Sequence, residues 1–257
     1  MRDSVPILAI LQVRMSSTRL PGKVMMDVLG RPMLERQIER IQRARHIDRL
    51  CIATTTEPSD DPITAFCAAR SIDFWRGSLD DVLDRYYQAA QQYSPAHVVR
   101  VTGDCPLIDA TVIDQVIELH LSGKFDYTCN RRPPTYPDGL DVEICRFECL
   151  RESWESARLA SEREHVTPFI WNRPERFRLG ALHHRGRNLS ELRWTVDYAR
   201  DLEFVRAVYQ RLHPSKPNFD MYDVLNLVDT NPQLLGLNSD FERDEGYRIS
   251  LEKDRVV

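Results

Sequence analysis

What this 257-residue sequence lacks narrows its function before any motif is considered. No apolar run approaches the roughly 20 residues that a membrane-spanning helix needs. The first four residues lead into an apolar strand and do not resemble a signal peptide, so we expect a cytoplasmic protein. The formal net charge is −4, so the chain has no overall basic character for binding nucleic acid. Six cysteines without a C-x-x-C pair argue against a zinc site or disulfide framework and favour reduced thiols.

Two common nucleotide-binding patterns are also missing. Neither the P-loop pattern G-x-x-x-x-G-K-[ST] nor the dinucleotide pattern G-x-G-x-x-G occurs in the sequence. Instead, a loop over 12–23 follows the apolar run 5–11 and carries three cations, three hydroxyls and a Pro-Gly turn. Cationic side chains neutralise phosphate oxygens, while hydroxyls and backbone N–H groups add neutral donors. The loop therefore predicts a triphosphate site whose nucleotide contacts are Gln12, Arg14, Ser16, Ser17, Arg19 and Lys23.

The first half of the chain, 1–125, alternates strand-like and helix-like patterns with short connections, as a parallel sheet does. Ligands of open α/β sheets bind beyond the carboxyl ends of the strands, where this loop lies. That position argues against the alternative, a basic surface loop without a ligand. The predicted strands cover 5–13, 50–54, 72–75 and 97–102; the predicted helices begin at Pro32, cover 61–70 and 80–93, and follow a cap at Thr111.

The pattern changes after residue 125. A turn-rich loop over 130–139 is long enough to suggest a functional role. We predict one domain over 1–238, with a nucleotide-binding half, 1–125, that carries the triphosphate loop, and a second half, 126–238. The charged segment 239–257 is predicted to be a solvated tail or an arm over a partner. Further strands are predicted over 140–145 and 192–196, and helices over 147–158, 161–173, 200–212 and 220–228.

Two predicted strands end in an aspartate, Asp104 and Asp197. Mg²⁺ takes few protein oxygen ligands together with phosphate oxygens, so these carboxylates are candidate metal ligands beside the triphosphate loop. A turn aspartate and a helix cap are the respective alternatives. Arg76, Arg100 and Thr102, near the ends of the third and fourth strands, join the predicted nucleotide contacts, whereas Arg85 is interpreted as a surface cation.

Five segments together resemble the cytidylyltransferase family, which includes CMP-sialic acid and CMP-Kdo synthetases. The resemblance is closest to the spore-coat polysaccharide branch and covers about residues 5–215. The segments are Q-V-R-M-S-S-T-R-L-P-G-K from Gln12, G-R-P-M-L from Gly30, R-G-S-x-x-D-V-L-x-R-Y from Arg76, G-D-C-P-L-I-D from Gly103 and E-H-V-T-P from Glu164.

This resemblance implies a Rossmann-like nucleotide-diphospho-sugar transferase fold, α/β with a mostly parallel sheet and a smaller appended lobe. It also implies an Mg²⁺-dependent enzyme that moves CMP from CTP to an acidic sugar and releases pyrophosphate. Lys23, Arg14 and Asp104 would be the catalytic residues, and Asp104 and Asp197 would hold the metal. Members are often homodimers whose later lobe forms the interface. The resemblance therefore implies a nucleotidyltransferase domain over 1–238 whose second half, 126–238, is the acceptor and dimerisation half, and a homodimer whose ligands are CTP and a small acidic sugar.

Residues 128–145, which should line the acceptor pocket, resemble the spore-coat branch and not the sialate or Kdo enzymes. Alternatives that remain open are a phosphonate or polyol acceptor, a glycosyltransferase that uses a nucleotide-sugar, and a nucleotide-binding subunit without activity. For each acceptor candidate, the alternative is an ordinary loop or helix surface residue. The acceptor candidates are Asn130, Arg131, Asp138, Asp141, Glu143 and His165.

Overall fold

The computed structural model describes residues 6–237 and 243–257. The predicted start of the first strand at residue 5 and the boundary between 238 and 239 lie outside the described residues. The strands are β1 Ile7–Gln12, β2 Asp27–Val28, β3 Arg31–Pro32, β4 Arg49–Thr55, β5 Asp73–Gly77, β6 His97–Thr102, β7 Tyr127–Cys129, β8 Glu143–Arg146 and β9 Leu179–Ala181. The α-helices are α1 Met33–Ile41, α2 Asp61–Ala69, α3 Val82–Gln91, α4 Ala110–Gly123, α5 Phe147–Ser156, α6 Ala160–His165, α7 Pro168–Trp171, α8 Ala199–Leu212, α9 Met221–Thr230 and α10 Glu245–Glu252.

Seven of the strands form one sheet in the order β5-β4-β1-β6-β8-β7-β9. The strands β5, β4, β1 and β6 pair in parallel, as do β7 and β9. Strand β8 runs antiparallel to both of its neighbours, β6 and β7. The prediction of an α/β protein with a mostly parallel sheet is therefore confirmed. The second half of the chain extends the sheet of the first half.

The central strand β1 is buried on both faces, which explains why its sequence is a continuous apolar run. Ile7, Ala9 and Leu11 contribute to one hydrophobic core, which also contains residues of α1, α4, α8 and α9. Leu8 and Ile10 contribute to the other core, with residues of α3, α5 and α7. The helices therefore cover both faces, and the carboxyl ends of the strands stay free to carry a site.

Two local predictions in this framework were wrong. The cap of α4 is Asp109, whose carboxylate accepts hydrogen bonds from the backbone N–H groups of Thr111 and Val112 at 2.8 and 3.2 Å. Aspartate is a stronger cap than threonine, and the same side chain also accepts from the Met221 backbone. The predicted helix over 161–173 is two helices, α6 and α7, because Val166 between them has a φ of 72°.

The predicted strand over 192–196 is also wrong. Within 6–237 and 243–257, this segment forms one isolated bridge, between Asp138 and Arg193, and no strand. Its backbone bonds go instead to two loops: the Trp194 N–H donates to the Asp138 carbonyl at 2.6 Å, and the Val196 N–H donates to the Asp104 carbonyl at 2.8 Å. The segment thereby joins the end of β6 to the loop that precedes β8.

Residues 243–257, the described part of the charged segment, contact the chain's own body. Asp254 accepts hydrogen bonds from the backbone and hydroxyl of Ser161 at 3.0 and 2.7 Å. The Ala160 N–H donates to the Arg255 carbonyl, and the Val257 N–H donates to the Arg158 carbonyl, each at 2.8 Å. The described end of the charged segment is therefore tied to the start of α6.

Candidate active site

The loop over 12–23 is closed by backbone contacts at its two ends. The Gly22 N–H donates to the Met15 carbonyl at 2.8 Å. Gly22 has a φ of 73°, the left-handed region that glycine adopts without steric cost. The Pro-Gly turn that the sequence showed is therefore the hinge that folds the loop back on itself.

Asp60 anchors the same loop from outside, and the sequence did not reveal it. Its carboxylate is fully buried and accepts from the Met15 N–H at 2.7 Å, from the Thr54 hydroxyl at 2.9 Å and from the Thr55 N–H at 3.1 Å. A buried carboxylate persists where several donors satisfy it. Its only signal in the sequence was an acid shortly after the second strand, which is common at the start of a helix.

Lys23 lies where the loop meets the rest of the site. Its side chain is buried, and Nζ donates to the Val196 carbonyl at 2.6 Å and to Asp197 Oδ1 at 3.0 Å. The distance from Nζ to Asp104 Oδ2 is 4.0 Å. The one lysine thus contacts both predicted metal aspartates and connects the loop, the end of β6 and the segment before α8.

Asp197 is surrounded by cations. Its Oδ1 also pairs with Arg19 Nη2 at 2.8 Å, and its Oδ2 accepts from Arg193 Nη2 at 3.1 Å. Burial by itself raises the pKa of a carboxyl, but Lys23 and Arg19 outweigh it and lower the pKa of Asp197 to about 2. Asp197 is therefore ionised throughout the physiological pH range, as a metal or cation partner must be.

A cavity of about 520 Å³, here called the outer pocket, opens beside this cluster. Its walls are the loop over 12–23, the end of β6, the start of α3 and α6. Arg14 lines it and makes no ion pair within the described residues. Of the predicted nucleotide contacts, the pocket brings together Gln12, Arg14, Ser17, Arg19, Lys23, Arg100 and Thr102.

Two predicted nucleotide contacts, Ser16 and Arg76, do not line the outer pocket. The Arg76 guanidinium donates to the carbonyls of Thr55 and Glu57 at 2.8 and 2.9 Å and pairs with Asp61. It is turned along the sheet toward the loop after β4. Arg76 lies near the end of β5, as predicted. Its guanidinium, however, binds the carbonyl of Thr55 at the end of the neighbouring strand β4 and that of Glu57 just after it.

The prediction that Arg85 is a surface cation was wrong. It is only 1% exposed, and its Nη1 donates to the Ser78 carbonyl at 2.9 Å. Burial lowers the pKa of this guanidinium to about 10. It supports the turn before α3 and lines neither pocket described here.

A second cavity, of about 180 Å³, adjoins the outer pocket and is here called the inner pocket. The two share Arg19, Arg100, Asp104, His165 and Asp197 in their walls. The inner pocket brings together five of the six acceptor candidates, and adds residues that were not predicted to bind an acceptor. The predicted residues are Arg131, Asp138, Asp141, Glu143 and His165, and the added ones include Arg193, Thr195, Asp244, Glu245 and Tyr247.

Asn130 is the acceptor candidate that does not reach the pocket. It is fully buried; its Nδ2 donates to the Leu140 carbonyl at 2.7 Å, and its Oδ1 accepts from the Val142 N–H at 2.8 Å. Both ends of the amide are used to hold the ends of the 130–142 loop together. An asparagine in a turn-rich loop was a reasonable binding candidate, but its backbone bonds make it a structural residue.

Glu143 and Arg100 form a buried ion pair. Arg100 lines both pockets, and Glu143 lines the inner pocket. Glu143 pairs with Arg100 and accepts from the Thr167 hydroxyl at 2.7 Å and from the Tyr127 hydroxyl. Burial raises its pKa, yet Arg100 and Arg131 outweigh burial and lower the pKa of Glu143 to about 2. Arg100 is thus committed to an internal carboxylate.

The carboxyl groups of Asp138 and Asp141 both have raised pKa values. Burial, together with the nearby charge of Asp141, raises the pKa of Asp138 to about 7. Burial also raises the pKa of Asp141, although Arg131 and Arg243 oppose that shift. Between Asp138 and Asp141, Gly139 has a φ of 106°, and a Cβ there would lie 2.6 Å from the backbone of Trp194 and Thr195. The close approach of two backbones positions this acidic pair.

His165 lines both pockets and packs edge-on against Tyr247, with 5.0 Å between ring centroids. Its Nε2 lies 2.9 Å from the Ser250 hydroxyl. Burial lowers the pKa of His165 to about 4, although Glu164 opposes the shift. The imidazole is therefore neutral at physiological pH and can donate or accept a hydrogen bond.

The segment 243–257 supplies part of the inner wall, which no pattern in the sequence indicated. Asp244 pairs with Arg131, and Arg243 pairs with Asp141. Glu245 Oε2 pairs with Arg19 Nη1 at 2.7 Å and accepts from the Tyr198 hydroxyl at 3.1 Å. A dense mixture of charges favours solvent exposure, and only the positions of its partners distinguish this segment from a solvated tail.

The residues present fit a magnesium ion in part. No group of three or more His, Cys, Asp or Glu suited to a metal occurs among residues 6–237 and 243–257. The Asp104 carboxylate is 30% exposed and borders both pockets, so it is available to a cation. Asp197 is held by Lys23, Arg19 and Arg193, so a cation would have to take the place of one or more of them. Two carboxylates with bound phosphate oxygens form the donor set that Mg²⁺ takes in nucleotide sites.

Across 6–237 and 243–257, no helix has the length and apolar character that crossing a bilayer requires.

Comparison with known proteins identifies the family. A family model described as cytidylyltransferase matches residues 8–214. The chain is 31% identical to the spore coat polysaccharide biosynthesis protein SpsF of Bacillus subtilis, over 88% of this chain and 95% of that protein. It is 32% identical to the 3-deoxy-manno-octulosonate cytidylyltransferase of Geobacter sulfurreducens, over 43% of this chain and 44% of that protein. A solved cytidylyltransferase from Leptospira borgpetersenii superposes with a TM-score of 0.84 at 29% identity, over 93% of this chain and 99% of that one. The predicted resemblance is confirmed, and the chain belongs to the cytidylyltransferase family.

Proposed function

We propose that this protein transfers CMP from CTP to an acidic sugar of the ulosonic or nonulosonic acid type and releases pyrophosphate, as a step in surface polysaccharide biosynthesis. The observation that carries the proposal is Lys23, buried between Asp104 and Asp197 where the two pockets meet. A cation at that junction lies where a nucleotide phosphate in the outer pocket would meet an acceptor in the inner pocket. Membership of the cytidylyltransferase family supports the choice of nucleotide.

The reaction proposed is a displacement at the α-phosphorus of CTP. An acceptor hydroxyl forms the new P–O bond, the bond between the α- and β-phosphates breaks, and the hydroxyl proton is lost to solvent. Arg14 and Arg19 neutralise the departing pyrophosphate, and Lys23 neutralises charge at the transferred phosphate. Most of the catalysis is then positioning and electrostatic stabilisation, as in other phosphoryl transfers.

We propose that Asp104 and Asp197 hold Mg²⁺ with the bound nucleotide. When bound, such an ion would supply positive charge against the phosphates and lower the pKa of a nearby acceptor hydroxyl. Asp104 borders both pockets, so it is suited to that position. Lys23 keeps Asp197 ionised, whether or not an ion is present.

The inner pocket is the proposed acceptor site. Arg131 offers a planar guanidinium that can pair with a sugar carboxylate in a bidentate manner. Asp138 can accept or donate hydrogen bonds to sugar hydroxyls, since burial and the charge of Asp141 raise its pKa to about 7, and burial also raises the pKa of Asp141. The relative from Geobacter sulfurreducens has a sugar acid in its name, which supports this class of acceptor. The homodimer stays a prediction.

Thermal stabilisation by ATP, GTP, CTP and UTP, each with and without Mg²⁺, tests the nucleotide. A ligand at 100 times its Kd stabilises the folded state by about 2.7 kcal/mol, which corresponds to a Tm shift of a few degrees. We expect the largest shift with CTP and its loss in Lys23→Ala. Equal shifts with all four nucleotides, or none, would contradict the proposal. Pyrophosphate release with panels of acidic sugars, phosphonates and polyols then identifies the acceptor.

A further inference from the structure

Two adjacent carboxylates of the segment 243–257, Asp244 and Glu245, each pair with an arginine. In the proposed function, these two arginines bind the anionic groups of the substrates. Asp244 pairs with Arg131, the proposed partner of the acceptor carboxylate. Glu245 pairs with Arg19, a proposed partner of the triphosphate, at 2.7 Å. The neighbouring Tyr247 lies against His165, which borders both pockets. One short stretch of chain therefore contacts the anion-binding groups of both substrates.

Other carboxylates also hold these arginines, so substrate anions must exchange with some of them. Arg19 is shared by Asp197 and Glu245, and Arg131 by Asp141 and Asp244. A polyanion that enters beside Asp197 and Glu245 without displacing either would bring like charges together. Like charges at such distances repel, and the repulsion is stronger where water is excluded.

Burial decides which carboxylates give way. The Asp197 and Asp141 side chains are 14% and 18% exposed, and both lie in the body of the domain. The side chains of Asp244 and Glu245 are 42% and 34% exposed. Asp244 is the N-cap of α10 and Glu245 is its first residue; no residue of this helix is buried, and it contacts the domain through Tyr247 and Ser250 beside His165. The pairs made by Asp244 and Glu245 cost least to break.

We infer that Asp244 and Glu245 are internal stand-ins for two substrate anions: Glu245 for a phosphate of the nucleotide and Asp244 for the carboxylate of the acceptor. Substrates bind by displacing the start of α10 from Arg19 and Arg131. The inference rests on the proposed function for the names of the two anions. The contacts of Asp254 and Val257 with α6 and with Arg158 hold the end of the segment in place, so it is released at one end only.

Binding of inorganic triphosphate, in the absence of Mg²⁺, tests this exchange without assuming cytidine. Calorimetry would compare wild type with the double variant Asp244→Asn, Glu245→Gln. These amides keep the size of the side chains and remove the charges that compete with the anion. Since an exposed ion pair contributes up to about 1 kcal/mol, we expect the double variant to bind triphosphate about fivefold more tightly. Unchanged or weaker binding, or no binding to either protein, would overturn the inference.

Glu252→Gln is the matched control, because it removes one negative charge from the same helix. Glu252 is exposed and, among the residues that the structure describes, pairs with Arg248 alone, at 2.8 Å, so its loss changes the net charge but not the site. A similar gain in Glu252→Gln would show a general charge effect and would also contradict the inference. Hydrogen exchange of the amides of α10 provides a second readout. Triphosphate should accelerate exchange there in wild type, and slower exchange would indicate that the segment clamps the ligand.

The result separates the two proposals. Triphosphate that binds more tightly to the double variant, with no preference for CTP among the four nucleotides, would contradict the proposed function and leave the exchange of anions standing. CTP-selective stabilisation of wild type, with no gain in the double variant, would do the reverse. Asp244→Asn alone then isolates the acceptor side: it should lower the KM for the acidic sugar and leave the KM for CTP unchanged.

Discussion

The outer and inner pockets share a wall, but their charges are arranged differently. In the outer pocket, three of the cations, Arg14, Arg19 and Lys23, come from one loop, and Arg14 has no ion pair within the described residues. In the inner pocket, Arg131 and Arg193 come from distant segments, and each faces several carboxylates. A pocket with an available cation can take up a polyanion directly. A pocket whose cations are already paired binds only by exchanging partners, which makes it selective for ligands that replace those contacts.

The largest effect is expected at Lys23, where the two pockets meet. Lys23→Ala removes the cation that we place nearest the reacting phosphate. It also removes the hydrogen bond from Lys23 Nζ to Asp197 Oδ1. Loss of one such electrostatic contact typically costs about 10²-fold or more in kcat. Steady-state pyrophosphate release measures this, with Lys216→Ala as the control, since Lys216 is an exposed lysine paired with Asp223. Near-normal turnover in Lys23→Ala would show that the junction of the pockets is not the site of transfer.

The next largest effect is expected at Gly139, where a substitution should lower the stability of the fold and leave nucleotide binding unchanged. Gly139→Ala would place a Cβ 2.6 Å from the backbone of Trp194 and Thr195, at a φ of 106°. We expect the free energy of unfolding to fall by about 2 kcal/mol, since both strain and overlap oppose alanine there. Urea unfolding measures it, and Gly236→Ala is the control because a Cβ there meets nothing within 4 Å. Equal stabilities of the two variants would show that the inner pocket does not depend on this close approach.

A smaller effect, on pH dependence, should distinguish the acids of the two pockets. The pKa of Asp138 is raised to about 7, so its stabilising contribution is complete below the ordinary pKa of 3.8 and is lost as the pH rises toward 7. The pKa of Asp197 is lowered to about 2, so its contribution is present above 3.8 and is lost only as the pH falls toward 2. Asp138→Asn should therefore remove about 1 kcal/mol or more of pH dependence between pH 4 and 7.

The measurement is the free energy of urea unfolding at several pH values, compared between wild type and Asp138→Asn. Taking the difference cancels the titration of His165, whose lowered pKa acts in the opposite direction over part of the same range. A pH-independent difference would mean that Asp138 is ionised throughout, like Asp197. The two pockets would then hold their carboxylates in the same state.

The comparison also shows which parts of the site could be predicted from the sequence. The loop over 12–23 is contiguous and follows a buried strand, so its residue types and position were enough to place most of it at a pocket. The first-half strands follow from apolar runs and short connections. The inner pocket depends on contacts between segments far apart in the chain, such as the bridge between Asp138 and Arg193. The sequence predicts Arg193 only as part of a strand that ends at Asp197, and it gives no sign that Arg193 lines the inner pocket.

Short elements and charged segments were the least predictable. Strands β7 and β9 have three residues each, too few to show a periodic pattern. The charged composition of 239–257 predicts a solvated tail or an arm over a partner, and it gives no sign of the contacts that the described part, 243–257, makes with Arg131, Arg19 and Ser161. Asn130 shows the converse, since a polar loop residue turned out to satisfy backbone groups inside the fold. Residue type indicates what a side chain can do, and its neighbours decide whether it is free to do it.

The smallest effect is expected at Arg76, and it tests this distinction within the first half itself. Arg76 was predicted to bind the nucleotide, yet its guanidinium is satisfied by Thr55, Glu57 and Asp61 outside the outer pocket. We expect Arg76→Ala to change the Kd for CTP less than about twofold, and Arg14→Ala to raise it about tenfold, since only Arg14 is an available cation. Isothermal titration with CTP measures both. Equal losses would mean that Arg76 leaves its carbonyl partners when the nucleotide binds, so that the outer pocket, like the inner one, works by exchange of partners.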